Sequence, residues 1–168
     1  MAAEIDYFGI KERIVTILKD DTVNLFTASP TDKTKFRLIE AGAPHLNKPI
    51  QGPFPRIFVT NDDVIDEITQ KGSTVVREPK IKEHSMRYLI IAVNDGKDGP
   101  DAEEKADDFV KLIMEKLELH SDLSKPTDNT DPLADWSIPE TVTVLNRDLV
   151  GSNIAGRVIR LRIKSTTG

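Results

Sequence analysis

The fold is decided by the stretch from His84 to Leu119, which reads HSMRYLIIAV (84–93), NDGKDGP (94–100) and DAEEKADDFVKLIMEKLEL (101–119). The first part predicts a β-strand. Its five consecutive apolar residues, Leu89–Val93, indicate cover on both faces, because a half-buried strand would alternate apolar and polar side chains. The second part, rich in Gly, Asn and Asp, predicts a tight turn.

The third part of this stretch predicts a long amphipathic helix. Asp101 is the expected cap of the helix, and Glu104 lies three residues further on, as in a capping box. The apolar side is formed by residues at helical spacing, namely Ala102, Ala106, Phe109, Val110, Ile113, Met114 and Leu117. A helix with one apolar side needs a surface to cover it, and the preceding strand is the expected floor.

The rest of the chain predicts one more helix and further strands. We expect a helix from Asp6 to about Lys19, and strands at Arg56–Thr60, Glu140–Leu145 and Val158–Lys164. Residues 64–83 fit either a helical turn or a hairpin about Lys71-Gly72, and the β-prone Thr74–Val76 favours extended structure. The expected fold class is therefore α+β, with two layers. A mainly antiparallel sheet of about four strands carries two α-helices on one face, with long exposed loops.

Composition limits the classes of protein to consider. The 168 residues, 38% hydrophobic and 30% charged, fit one domain spanning residues 1–168. A net charge of −5 argues against a general nucleic-acid binder, and the absence of Cys excludes disulfides, thiolate metal sites and cysteine nucleophiles. The N-terminal residues lack the features of a signal peptide, and no apolar run approaches membrane-spanning length. We expect a soluble, cytosolic product with no membrane partner.

No residue pattern predicts catalysis, a cofactor or a metal. His45, His84 and His120 are isolated from one another, so we expect solvated or structural histidines. The acidic turn Asp95–Asp101 superficially resembles a calcium loop, but Ala106 stands where the closing Glu is needed. A turn followed by a helix cap explains these carboxylates better. The motifs G-x-S-x-G, GxGxxG and GxxxxGK[ST] are absent, so acyl transfer and the usual nucleotide cradles are unsupported.

Two features are candidates for contacts with partners. The cations Arg160, Arg162 and Lys164 alternate with apolar residues on the last strand. This stripe indicates either an ordinary polar outer face or a surface that faces a partner subunit or a polyanion. Two irregular segments, Ala43–Pro55 and His120–Asp135, are also longer than a compact monomer needs. Such segments are typical either of mobile loops or of segments that order against a neighbouring subunit. Their candidate interface residues are Pro44, Leu46, Pro49, Ile50, Phe54, Leu123, Leu133 and Trp136.

The order of these elements resembles that of the tail terminator, or tail completion, proteins of long-tailed bacteriophages and related virus-like particles. The segments that carry the resemblance are FGIKERIVTILKDD, PFPRIFVTND, SMRYLIIAVNDGKDGPDAEEKADDFVKLIMEKL and GRVIRLRIKS. They cover nearly the whole chain and form a pattern of elements and lengths without a catalytic motif.

The resemblance implies a structural virion protein without enzymatic activity or cofactor. Such proteins form a ring, typically of six subunits, that caps the head-proximal end of the tail tube, stops its polymerisation and joins the tail to the neck. The implied partners are further copies of the chain, the tail tube protein, a neck or head-completion protein and, in a contractile tail, the sheath protein. DNA would pass only transiently through the lumen. The implied location is the tail–neck junction, after assembly in the host cytoplasm.

Within this picture, the stripe of Arg160, Arg162 and Lys164 is expected on the lumen or against a neighbouring subunit. Two alternatives remain open. The chain could be another head–tail connector or neck component. It could also belong to a different class, a small metal- or ligand-binding α+β domain in which Asp95–Asp101 forms the site.

Overall fold

The computed structural model describes residues 4–20, 25–27, 35–44, 50–72, 81–145 and 153–167. In chain order the elements are α1 Tyr7–Lys19, β1 Leu38–Ala41, β2 Arg56–Lys71, β3 Ile81–Asp95, α2 Gly99–Leu119, β4 Trp136–Val144 and β5 Ile154–Thr167. The strands form one sheet in the order β1-β2-β3-β5-β4. β1 and β2 are parallel, and the other neighbours are antiparallel. The predicted α+β fold, with both helices packed against a mainly antiparallel sheet, is confirmed.

β3 lies at the centre of this sheet and is covered on both faces. Ile90 and Ala92 belong to the large core cluster between the sheet and the helices. Ile91 and Val93 belong to a second apolar cluster on the opposite face. This double burial explains the unbroken apolar run of the strand, because side chains on both faces leave water.

The second cluster is covered by connecting segments. Ile50 and Leu145 are buried there beside Phe58 of β2, and the partly buried Phe54 packs against them. The approach of Leu145 to β5 depends on Gly156, where an added Cβ would lie 2.6 Å from a Leu145 methyl carbon. Glycine at this position therefore lets the segment after β4 close over the sheet.

The two helix starts follow the chemistry of their caps. Asp6 caps α1, since its side chain accepts a hydrogen bond from the Gly9 amide at 2.9 Å, and the helix lies where it was expected. The expectation that Asp101 caps α2 is wrong. The cap is Asp98, whose carboxylate accepts from the Asp101 amide at 2.9 Å, and Pro100 lies in the first turn, where its missing N–H costs nothing.

Several strands differ from the prediction. β2 does not end at residues 61–63 but continues to Lys71, with a β-bulge between Asn61 and Asp66. The preference for extended structure after residue 63 is confirmed for β2 and for the start of β3, while residues 74–76 lie outside the described ranges. β4 begins at Trp136, earlier than expected, and the short parallel strand β1 was not predicted.

The inward side of β5 was predicted correctly and gives a direct test of the fold. Ile159 is fully buried between the sheet and the helices. We expect Ile159→Ala to lower the free energy of unfolding by about 2–5 kcal/mol, because it leaves a cavity in a packed core. The measurement is urea unfolding followed by circular dichroism. Ile81→Ala is the matched control, since Ile81 is 49% exposed, and its loss should stay below about 1 kcal/mol. Equal losses would contradict this placement of β5.

Candidate functional site

The cations predicted on the outer side of β5 do lie on the face away from the helices, but neighbouring strands supply acidic partners. Arg160 Nε lies 2.8 Å from an Asp62 carboxylate oxygen on β2. Arg162 Nη1 lies 3.4 Å from a Glu140 carboxylate oxygen on β4, and Arg162 Nε donates to the Ser85 hydroxyl at 3.0 Å. Two of the three expected cations are therefore paired within the chain.

Arg87 of β3 extends the same layer of charges. Its guanidinium lies 3.1 Å from Glu67 of β2 and 3.7 Å from Glu140 of β4. Arg162 and Arg87 stand directly opposite each other in the sheet, so acidic residues on both flanking strands are needed to offset their repulsion. This face is consequently a network of alternating charges, and its positive potential is much lower than the sequence of β5 alone suggests.

Exposed apolar side chains cluster on the edge strand β4 and, on the other side of the sheet, on the part of β2 and β3 beyond the pairing with β1. Ten large apolar side chains are exposed among the described residues, and eight of them lie on β4 or on the hairpin formed by the distal halves of β2 and β3. The residues on β4 are Trp136, Ile138, Val142 and Val144, and those on the hairpin are Val64, Ile65, Ile68 and Ile81. Exposed apolar side chains clustered in this way are typical of interaction surfaces.

The four residues on β4 occupy both faces of that strand. Ile138 is opposite Arg162, on the face away from the helices, whereas Val142 is opposite the inward-facing Ile159. The change of face follows the irregularity between Pro139 and Thr141. Each half of β4 is therefore apolar on one face, and the apolar face changes along the strand.

A shallow groove of about 540 Å³ runs beside the β2 edge, between that strand and α1. Its walls include the apolar side chains of Phe8, Ile65 and Ile68, together with Lys11 and the exposed Asp63. Phe8 is 59% exposed. The groove therefore continues the apolar surface of the hairpin onto α1.

A second cavity, of about 560 Å³, lies beside β1 and is bordered by Pro44 and Ile50. Its polar wall is Arg56, which pairs with Glu40 and donates to the Gln51 carbonyl at 2.6 Å. The Arg56 guanidinium also stacks 4.3 Å from the centre of the Phe58 ring. Because its polar groups bind each other, this cavity presents little that would select a charged ligand.

The buried polar network around His84 has the connectivity of a hydrolase triad. His84 Nδ1 lies 2.6 Å from an Asp66 carboxylate oxygen, and His84 Nε2 lies 2.9 Å from the Thr167 hydroxyl. Thr167 is only 4% exposed, so substrate could not reach this hydroxyl in the described structure. Tyr7 also donates to the same Asp66 oxygen at 2.7 Å, which makes the network a link between α1, β2, β3 and β5.

The outcome for the three histidines follows from these contacts. His84 is a buried structural histidine, as expected, and His120 is buried at the end of α2. His45 lies outside the described residues. The Asp66–His84 pair could not be found from sequence, because the spacing of 18 residues acquires meaning only through the register of β2 and β3.

The acidic turn before α2 uses its carboxylates internally. Asp98 caps the helix, and the Asp101 carboxylate accepts from the Lys97 amide at 2.8 Å and pairs with Lys105 at 3.1 Å. The hydrogen bond from Lys97, followed by that from Lys105, lowers the pKa of the Asp101 carboxyl. In the part of the chain that the structure describes, no group of three His, Cys, Asp or Glu side chains is arranged to hold a metal ion.

The candidate interface residues in the irregular segments fall into three groups. Leu123 and Ile50 are buried in the two core clusters, and Leu133 and Phe54 are partly buried against them. Pro44 borders the cavity beside β1, and Leu46 and Pro49 lie outside the described residues. Trp136 is 42% exposed and lies on β4 rather than in a loop. Of the described members of this set, Trp136 offers the largest apolar surface to a partner.

Comparisons with known proteins assign no family. No protein-family model matches this chain, and a search of curated proteins finds no significant relative. Neither helix in the described ranges is long and apolar enough to cross a membrane. The function must therefore be argued from the surfaces described above.

The paired state of the outer-face arginines predicts weak binding of duplex DNA. Replacing Asp62 and Glu140 together, as Asp62→Asn and Glu140→Gln, should release Arg160 and Arg162 and strengthen this binding. The slope of the logarithm of the affinity against the logarithm of the salt concentration should become steeper by about one to two, since each phosphate contact contributes roughly 0.9 to this slope. Fluorescence anisotropy with a labelled duplex at several salt concentrations measures this slope.

The control for this experiment removes two acidic charges elsewhere. Glu115→Gln with Glu118→Gln changes the net charge equally, on the exposed side of α2. If both double variants strengthen DNA binding to the same extent, net charge explains the effect and the local pairing of Arg160 and Arg162 does not.

The contact between Tyr7 and Asp66 predicts a distinctive alkaline titration. The hydrogen bond to the Asp66 carboxylate, together with burial, raises the pKa of Tyr7 from 10.0 to about 12. Because the folded pKa is the higher one, the stabilisation is complete below pH 10.0 and is lost as the pH rises through about 12. In a Tyr88→Phe background, which leaves Tyr7 as the single tyrosine, phenolate absorbance reports this titration.

The matched variant for this titration is Asp66→Asn in the same Tyr88→Phe background. It removes the carboxylate charge, so the phenolate of Tyr7 should appear at a lower pH, closer to 10.0. Circular dichroism at each pH verifies that the chain remains folded. An unchanged titration after Asp66→Asn would show that the carboxylate does not control Tyr7.

Proposed function

We propose that this chain is a ring-forming structural protein that caps the head-proximal end of a phage-type tail tube, as a tail terminator. The observation that carries the proposal is the pair of exposed apolar edges on opposite sides of one sheet. A ring needs two different surfaces on each subunit that fit each other, one on either side. The resemblance in the order of helices and strands supplies the more specific identity of the ring.

The described surfaces favour assembly over chemistry. Most of the exposed large apolar side chains of the described residues lie on β4 and on the distal parts of β2 and β3, while Arg160 and Arg162 of the central sheet face are paired with acidic residues. Enzyme sites usually combine a concave pocket with unpaired or perturbed polar groups directed into it. The triad-like network around His84 lacks access, as the burial of Thr167 makes plain.

The lumen of such a ring would be lined by residues with little net positive charge. If the outer face of β5 faces this lumen, Arg160 and Arg162 present ion pairs to passing DNA instead of free guanidinium groups. Weak attraction suits a channel through which DNA must slide, because each tightly bound phosphate would slow its passage. The proposed partners are the tail tube protein below the ring and a neck protein above it.

The test combines the purified chain with polymerising tail tube protein of the same particle. Electron microscopy should show shorter tubes that bear a ring at one end, and the mean tube length should fall as the ratio of this chain to tube protein rises. Tube protein alone is the control. Tubes whose length and ends are unaffected at any ratio would contradict the proposal.

The metal-binding alternative makes a different prediction for the same preparation. A divalent ion held at Asp95–Asp101 would bind stoichiometrically, and its removal with a chelator would lower the midpoint of thermal unfolding. The internal use of Asp98 and Asp101 as cap and ion-pair partners does not favour this alternative. An unchanged midpoint in chelator would argue against it.

A further inference from the structure

We infer that the outer edge of β4 in one copy of this chain docks against the outer edge of β2 in the next copy, in a head-to-tail contact. The inference rests on the proposed function, because it names the contact by which the ring would close. The edge contact can also be wrong while the proposed function is right, since a ring could close through loops or helices instead.

Both edges are available along much of their length. β1 pairs with β2 only from Arg56 to Val59, so in the described part of the chain the rest of β2 has no strand on its outer side. β4 pairs with β5 and forms the opposite end of the sheet. Long edge strands are usually protected by charged side chains, Pro or bulges, and here such features (Asp63 and Glu67 on β2, Pro139 on β4) stand beside exposed apolar residues.

Strand direction makes the two edges compatible. β2 and β5 run in one direction, whereas β3 and β4 run in the other. In a cyclic ring every subunit points the same way along the axis, so β4 of one copy meets β2 of the next in antiparallel orientation. This is the same orientation as that of most neighbours within the sheet, and it needs no inversion of the subunit.

The apolar side chains of the two edges also lie in the same row of the sheet. Across the sheet, Ile138 of β4 is in the same row as Arg87 of β3. The β2 residues beside Arg87 are those of the bulge between Asn61 and Asp66, which includes the exposed Val64 and Ile65. Copies related by rotation alone would therefore bring Ile138 close to the apolar part of β2.

Charge and shape agree with a second copy as the occupant. The groove beside β2 is lined by the exposed Asp63 together with the apolar side chains of Phe8 and Ile65. Lys164 of β5 stands directly opposite Trp136 and provides a cation beside the largest exposed ring, and in the same row of the sheet the acidic residue of β2 is Glu67. A carboxylate on one edge and an ammonium beside the other suit a contact between two copies of this chain better than a contact of either edge with itself.

Pro139 makes the contact depend on side chains. It lacks an N–H donor and lies at the irregularity of β4, so a continuous ladder of backbone hydrogen bonds along the whole edge is excluded. The remaining attraction must come from burial of the apolar side chains on either side of Pro139. Single substitutions of these side chains should therefore have large effects on assembly.

The experiment blocks one edge at a time with the same kind of charge. Ile138→Glu places a carboxylate on the β4 edge, and Ile65→Glu places one on the β2 edge. Leu119→Glu is the matched control, because Leu119 is 65% exposed and is the last residue of α2, so it belongs to neither edge strand. Light scattering after size exclusion measures the mass, and circular dichroism verifies that each variant is folded.

The wild-type chain and Leu119→Glu should assemble into a closed oligomer, and each edge variant alone should be a monomer. Mixing Ile138→Glu with Ile65→Glu should then give a one-to-one dimer that does not grow. In this mixture the intact β2 edge of one variant meets the intact β4 edge of the other. Because both variants gain negative charge, attraction between the new residues cannot explain their pairing.

Three results would overturn the inference. One is a wild-type chain that stays monomeric up to about 1 mM, which corresponds to negligible self-affinity. Another is an assembly that persists in both edge variants. The third is an Ile138→Glu and Ile65→Glu mixture that remains monomeric, which would exclude the head-to-tail pairing of these edges.

The tube-capping experiment separates this inference from the proposed function. A chain that caps tubes but assembles normally with either edge blocked would keep the proposed function and lose the edge contact. A chain that forms the one-to-one dimer from its blocked variants but leaves tube growth unchanged would keep the edge contact and lose the proposed function.

Discussion

The structure depends on the requirement that β3 be covered on both faces. Side chains such as Ile90 and Ile91 point to opposite sides of the sheet, so neither face of the central strand can be left to water. The helices cover one face, and Ile50, Phe54 and Leu145 contribute to the cover of the other. Residues outside the helices and strands are thus part of the core, which explains why Ile50, a predicted interface residue, is buried instead of facing a partner.

The second cluster covers only part of the outer face, and the remainder is occupied by charges. Arg160, Arg162 and Arg87 lie on adjacent central strands, where their mutual repulsion would be destabilising without acidic neighbours. Asp62 on β2 and Glu140 on β4 supply these neighbours from the two flanking strands. The pairs are too exposed to add much stability individually. Their main effect is to remove the charge asymmetry that would otherwise attract polyanions to this face.

The sequence predicted the features that arise within a single element. The alternation of Ile159, Leu161 and Ile163 specified the inward side of β5, and the spacing from Ala102 to Leu117 specified the buried side of α2. Contacts between segments that are far apart in the chain could not be predicted from the sequence. The pairing of Arg160 with Asp62 and of His84 with Asp66 requires the strand order and the register of β2 with β3. Neither could be obtained, because the pattern of residues 64–83 fits a helical turn or a hairpin and does not specify where β2 ends and β3 begins.

The edges of the sheet connect these observations to assembly. Within the subunit, Arg87, Arg160 and Arg162 on the outer face each have a nearby acidic partner, and most of the exposed large apolar side chains of the described residues are peripheral. Burial of such surface is non-directional and would by itself permit unlimited association. Direction and register must come from other features. The bulges in β2 and β4 interrupt both edges, and Pro139 removes a donor from one of them. A contact limited in this way favours one alignment of neighbouring copies, and that alignment gives a ring instead of a filament where the rotation between copies closes after a whole number of subunits without a rise along the axis.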